Sequence, residues 1–146
     1  MSVDCVTAYP LAPTQAEHFG ITELSREFGI TPRALRFYEE EGLIAPARDG
    51  AARIYSRRDR ARIAWILRGK SLGFSLDDIG EMLDLYDLGD GRATQRAVTA
   101  VRCRERAASL REQLTDIQGM IDQLSSFAES LDPRHNGPGT SRSGLA

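Results

Sequence analysis

The sequence is poor in the residues that build metal centres and covalent cross-links. Only two cysteines occur, Cys5 and Cys103, far apart and in no C-x-x-C pair. That spacing argues against a disulfide framework or a zinc site and fits a cytoplasmic location. The two histidines, His18 and His135, have no second ligand at metal spacing, so neither a metal nor a cofactor is expected. No run of 18 apolar residues is present to span a membrane. The first twenty residues lack the basic start and apolar block of a secretory signal. Also missing are a Ser/His/Asp or Cys/His constellation, a paired-carboxylate cleft and a Gly-rich phosphate loop, which makes an enzyme unexpected.

A surplus of positive charge is lacking too, since the chain carries a net −2. Its distribution is uneven, however. Residues 21–70 hold 11 Lys/Arg against 7 Asp/Glu, a surplus of four positive charges. Residues 71–146 hold 8 against 12, a surplus of four negative ones. A basic segment followed by an acidic one is the pattern of a DNA-contacting head on a separate body.

The stretch Thr31–Gly42 reads as a short helix marked at both ends. Thr31 serves as N-cap, Pro32 occupies the first helical position, and Gly42 supplies a left-handed stop. At about 100° per residue, Arg33, Arg36, Phe37 and Glu40 share one face, while Ala34, Leu35 and Tyr38 share the other. Two guanidinium groups beside an aromatic ring suit the edge of a DNA groove, although an amphipathic helix with solvated arginines gives the same pattern. Upstream, Ile21–Gly29 reads as another short helix, with Thr22 as its cap and Leu24 and Phe28 at i, i+4. Two short helices joined by a tight Gly-containing turn form a helix-turn-helix whose second helix is the reader.

Downstream, the β-prone pairs Leu43-Ile44 and Ile54-Tyr55 flank a loop carrying Pro46, Asp49 and Gly50. This is the pattern of a hairpin, or wing, that presents Arg48 and Arg53 to phosphates or a minor groove. A third helix is expected over Ser56–Ser71, capped by Ser56 and Asp59, with Ile63, Ile66 and Leu67 inward and Arg57, Arg58 and Arg60 placed for phosphate at its start. A fourth starts at Ser75 with Asp78 as the box partner, and its Leu76, Ile79, Met82, Leu83 and Tyr86 follow a core-facing spacing. After a break at Leu88–Gly91 the period changes. Ala100, Cys103, Ala107, Leu110, Leu114, Ile117, Ile121, Leu124, Ala128 and Leu131 alternate at three- and four-residue intervals, an a/d heptad seam. One long helix with one apolar stripe needs a partner, so dimerisation is expected through Leu110, Leu114, Ile117, Ile121, Leu124 and Leu131. Asp132-Pro133 ends that helix.

Three stretches resemble the MerR family of transcription regulators: the run from Ile21 through Leu43, then Arg53-Ile54-Tyr55, then Leu72 through Ile79. The resemblance spans roughly residues 20–131. It implies a mainly α fold: a winged helix-turn-helix head with a short β-hairpin wing, followed by a long coiled-coil dimerisation helix. The expected organisation is a flexible leader over 1–19, the DNA-binding head over 20–90, the coiled coil over 91–131 and a disordered tail over 132–146. The resemblance further implies an antiparallel homodimer on a pseudo-palindromic, double-stranded promoter, distorting it and so acting indirectly on RNA polymerase. By position it places Arg33, Arg36, Phe37 and Tyr38 on the reading helix, Arg53 and Tyr55 on the wing, and Arg57 and Arg60 at the third helix, all as DNA contacts. Tyr38 sits on the helix's inner side by periodicity.

Within the family, the run from Ile66 through Tyr86-Asp87 is most similar to regulators of branched-chain amino-acid and fatty-acid catabolism. That likeness implies a small organic effector such as an acyl-CoA. Metal-sensing members carry several cysteines around the long helix, whereas here Cys103 lies on the seam, as a small buried hydrophobe does. With about fifteen residues following the helix, the large effector domain of drug-binding members is not expected. Alternatives are a metal- or redox-responsive regulator using Cys103, an excisionase-like DNA-bending accessory protein, and a coiled-coil interaction protein with no DNA role.

Overall fold

A computed structural model of the protein describes residues 11–85 and 93–134. Its elements run β1 (His18–Phe19), α1 (Ile21–Phe28), α2 (Pro32–Glu40), β2 (Ala47–Asp49), β3 (Ala52–Ser56), α3 (Arg57–Ser71), α4 (Leu76–Asp84) and α5 (Ala93–Leu131). They fall into two compact units, one through Thr99 and one from Ala100 onward.

The head is built by local signals that the side chains supply. Glu23 accepts from the Gly20 N–H at 3.3 Å, so α1 starts at Ile21 with Gly20 at its N-cap, two residues before the expected cap Thr22. Gly29, at φ +64°, ends α1 in the left-handed conformation that a side chain would strain. Thr31 Oγ1 accepts from Ala34 N at 3.1 Å and starts α2, with Pro32 in its first turn. Ser56 and Asp59 box the start of α3, and Ser75 and Asp78 that of α4.

The antiparallel sheet has the order β1-β3-β2. The wing is shifted from its expected place. Leu43 and Ile44 are buried core residues outside any strand, and the hairpin pairs Ala47 with Ile54, Arg48 with Arg53 and Asp49 with Ala52. The shift has an identifiable cause in Asp59. Its Oδ1 accepts from Ala45 N at 3.0 Å while Oδ2 accepts from Ser56 N and Oγ, which fixes both feet of the wing to the start of α3. A third strand also appears: Phe19 pairs with Tyr55 and is buried. The described end of the expected loose leader is therefore part of the head, with Leu11 and Ala16 packed against the core. Residues 1–10 and Cys5 lie outside the described residues. So do the expected break at Leu88–Gly91, Tyr86-Asp87, and the tail from His135 onward.

Leu24, Leu35, Ile63, Ile66, Ile79 and Leu83 interlock at the centre of the head. α3 and α4 approach closely at Gly69, where an added Cβ would stand 2.6 Å from Ile79 Cγ1. The second unit is the continuation of α5. Its large apolar side chains, from Val101 to Leu131, are 45–68% exposed in the single chain. They include every expected dimerisation residue, together with Met120 and Phe127 beside the seam. Cys103 is a half-buried free thiol. No described helix is long and apolar enough to cross a membrane.

Candidate nucleic-acid interface

The cap at Thr31 fixes the phase of α2, and the phase decides what the helix shows. Leu35 and Tyr38 go into the core, and Ala34 is half-buried. Arg33, Arg36 and Glu40 are exposed, as is the Phe37 ring at 42%. A ring of that size left in water beside two arginines is a surface that gains by covering.

The wing lies against the end of the same helix. Glu39 accepts from Arg48 Nη2 at 3.1 Å and from Arg53 Nε at 2.6 Å. The hydrogen bond from Arg53, with the positive charge of both arginines, holds the Glu39 carboxyl below the usual carboxylate range against the opposing effect of partial burial. Between the wing, Arg36 and the start of α1 an open cleft of about 710 Å³ carries Arg26, Arg36 and Arg53 on its walls. Three guanidinium groups against the one carboxylate of Glu23, which caps the start of α1, leave the walls net positive, as suits a phosphodiester backbone.

Three of the residues expected to touch DNA lie elsewhere. Tyr38 is 2% exposed; its hydroxyl accepts from Lys70 Nζ at 3.3 Å, and its ring packs under the Lys70 ammonium. Tyr55 is completely buried, because the alternation of β3 turns it inward beneath the sheet. Its hydroxyl has no hydrogen-bond partner, and burial pushes its pKa above the ordinary phenol value. Arg60 is 7% exposed. It forms a bidentate ion pair with Glu27 of α1, donates to Ala12 O at 2.9 Å, and lies over the Phe19 ring. These three are core residues, and the phosphate role expected of Arg60 is replaced by a tie between α1, α3 and the leader.

Arg57 is exposed, but its guanidinium donates to Ala16 O and Thr14 O, both at 2.8 Å, and so holds the leader in place. Arg33, Arg36 and Phe37 share the exposed face of α2, Arg36 shares the cleft with Arg53, and Glu39 links Arg53 to Arg48. Glu39 had no visible role in the sequence. It sits between the two faces of α2, and its partners come from strands nine and fourteen residues on.

Comparison with known proteins gives a consistent picture. The profile described as MerR HTH family regulatory protein matches residues 19–85, and that described as MerR, DNA binding matches residues 60–127. The HTH-type transcriptional regulator CueR of Salmonella typhimurium is 30% identical over 112 residues, which cover 75% of this chain and 79% of the relative. The crystal structure of the regulator PbrR691 from Ralstonia metallidurans, in complex with lead(II), aligns with a TM-score of 0.59 at 28% identity over 84% of this chain and 92% of that one. A MerR family regulator lacking the sensor domain, HiNmlR bound to promoter DNA, shares the fold with a TM-score of 0.56 at 21% identity, covering 83% of this chain and 97% of that one.

Proposed function

The chain belongs to the MerR family of DNA-binding transcription regulators, and from that premise we propose that it binds a pseudo-palindromic promoter as a homodimer and distorts the DNA. The observation that carries this reading is the junction of the exposed Arg33–Arg36–Phe37 face of α2 with the arginine-bearing wing. In the proposed complex α2 enters the major groove, Arg33 and Arg36 meet base edges or phosphates, and the Phe37 ring lies on sugar or a thymine methyl. Arg48 and Arg53 contact the flanking backbone. Two heads joined through Leu110, Leu114, Ile117, Ile121, Leu124 and Leu131 read two half-sites. Deforming the DNA between them costs on the order of a few kcal/mol, offset by the contacts of both heads, and alters how RNA polymerase meets its promoter.

For the regulated response we propose catabolic genes and a small organic effector of the acyl-CoA class, in a cytoplasmic setting. The support is the likeness of the run from Ile66 toward Tyr86 to regulators of branched-chain amino-acid and fatty-acid breakdown. A metal-responsive reading is favoured instead by the resemblance to the lead(II)-bound regulator. Against it, Cys103 is the one described cysteine and lies on the heptad seam.

The test is selection by the purified protein from random duplex DNA, followed by sequencing. The expected result is an inverted repeat whose half-sites lie on one face of the duplex. No enriched sequence from a confirmed dimer at low salt rejects the reading. Adding acyl-CoAs or divalent metals to the selected complex then separates the two effector classes, by which one changes affinity or distortion.

A further inference from the structure

We propose that Glu39 is a positioning residue for DNA recognition: by holding Arg48 and Arg53 it fixes the wing against the reading helix and limits the charge the wing offers to non-cognate DNA. The inference rests on the reading above, in which the wing arginines contact the backbone. It adds what determines how they do so.

The geometry is specific. Arg48 and Arg53 are directly paired across the hairpin, so two like charges stand opposite each other on one face, an arrangement that by itself disfavours the pairing. One carboxylate lies between them and belongs to neither strand. Each of its oxygens takes one guanidinium, so α2, β2 and β3 meet at a single group. Arg53 binds through Nε, so neither of its Nη atoms makes this hydrogen bond. Arg48 binds through one Nη and stays half-exposed. Both arginines are therefore held by one carboxylate, Arg48 with half of its side chain in solvent and Arg53 with 21% of it.

An exposed pair such as Arg48–Glu39 contributes little to folding stability, and the partly buried Arg53–Glu39 pair offsets part of its gain by desolvation. Their effect on binding is larger in kind, because non-specific affinity comes almost wholly from cations replacing counterions on the phosphates. With Glu39 ionised, the cluster of Arg48, Arg53 and Glu39 carries one net positive charge, in one orientation, next to Asp49 on the same hairpin. Without it, two unrestrained guanidinium groups adapt to any backbone. Cognate DNA, already fitted to the fixed wing, gains little from that freedom, whereas non-cognate DNA gains much. Glu39 thus acts on the ratio of the two affinities.

The experiment measures binding of full-length wild type, Glu39→Gln, Glu39→Asp, Arg48→Ala and Arg53→Ala by fluorescence anisotropy across a KCl series. The probes are the duplex enriched by selection and a scrambled duplex of equal length. Glu39→Gln is expected to raise affinity for the scrambled duplex and to steepen its salt dependence by about one. The specificity ratio should fall on the order of tenfold, a loss that follows from the sequence-independent gain. Glu39→Asp keeps the charge and should return the salt slope to that of wild type, with a specificity ratio between the two. A role confined to holding the fold would lower both affinities in proportion. An unchanged ratio and slope in Glu39→Gln, with Arg48→Ala and Arg53→Ala each weakening binding, therefore overturns the proposal for Glu39 alone. If neither arginine variant weakens binding, the wing reading beneath it fails.

Discussion

Arg36 and Arg60 are the same residue type in the same basic segment, and their surroundings are opposite, one exposed and one buried. Arg36 is exposed on α2 beside Phe37. Arg36→Ala is expected to cost about 1–3 kcal/mol of affinity for the selected operator and to relax base preference, with thermal stability unchanged. Arg60 is buried against Glu27, Ala12 O and the Phe19 ring. Arg60→Ala leaves Glu27 without that partner and should cost about 1–3 kcal/mol of stability, while the salt dependence of DNA binding stays as in wild type. Denaturation and salt-titrated binding on the two variants should give this crossed result; a lower salt slope in Arg60→Ala would return it to phosphate. Tyr55 is argued in the same way. Its buried hydroxyl has no partner, so Tyr55→Phe should hold operator affinity within about a factor of two and lose no stability. Because its folded pKa is raised, stability owed to the neutral phenol is present below the ordinary value of about 10 and is lost as pH rises from there through the folded value. Urea denaturation between neutral and alkaline pH should show that loss in wild type and its reduction in Tyr55→Phe.

Helices packed as closely as α3 and α4 depend on a missing side chain. Gly69 lies in the middle of their contact, and a Cβ there would stand 2.6 Å and 2.8 Å from two atoms of Ile79, which is itself buried. Gly69→Ala gains up to about 1 kcal/mol of helix propensity but overpacks this contact at about 1–3 kcal/mol. A net loss, read as a melting temperature lower by several degrees at fixed protein concentration, is the expected outcome; a gain would mean that the two helices separate freely. At this scale the sequence was legible where a polar side chain caps the helix locally, and not at α1, where Gly20 rather than the expected Thr22 holds the N-cap position. Thr31 with Pro32, Ser56 with Asp59, and Ser75 with Asp78 each define a helix start within three residues, and the structure has all three starts. Signals that need a distant partner were not legible. β1 is two residues long and is a strand only because Tyr55 and Ser56 pair with it. The wing begins at Ala47 because Asp59 holds Ala45, and the β-prone Leu43-Ile44 gains more by entering the core. The same reason hid part of the candidate site: the side of α2 that reads outward followed from periodicity, whereas the Glu39 clamp and the burial of Arg60 depend on elements met only after folding.

For the whole molecule, the question is what covers α5. The exposed apolar residues from Leu110 to Leu131 recur along one stripe over three heptads, and Met120 and Phe127 widen that stripe on one side. Fully burying a single Leu or Ile side chain contributes about 1.5–3 kcal/mol, so leaving the stripe in water would forfeit more than the usual stability of a small domain. In the proposed homodimer a second copy would supply a matching stripe, and with it the symmetry that an inverted-repeat operator requires. Ile117 sits near the middle of the stripe, where any register that covers most of it must bury residue 117. Ile117→Asp places a charge there with no cation provided, at a cost above that of the lost contact. The expected result is a monomer by light scattering, with the head still folded by thermal denaturation. Affinity for a duplex carrying both half-sites should fall to that for a single half-site. A dimer that persists in Ile117→Asp would place the interface away from the seam, and undiminished two-site affinity in a monomer would show that the two heads do not act as one reader.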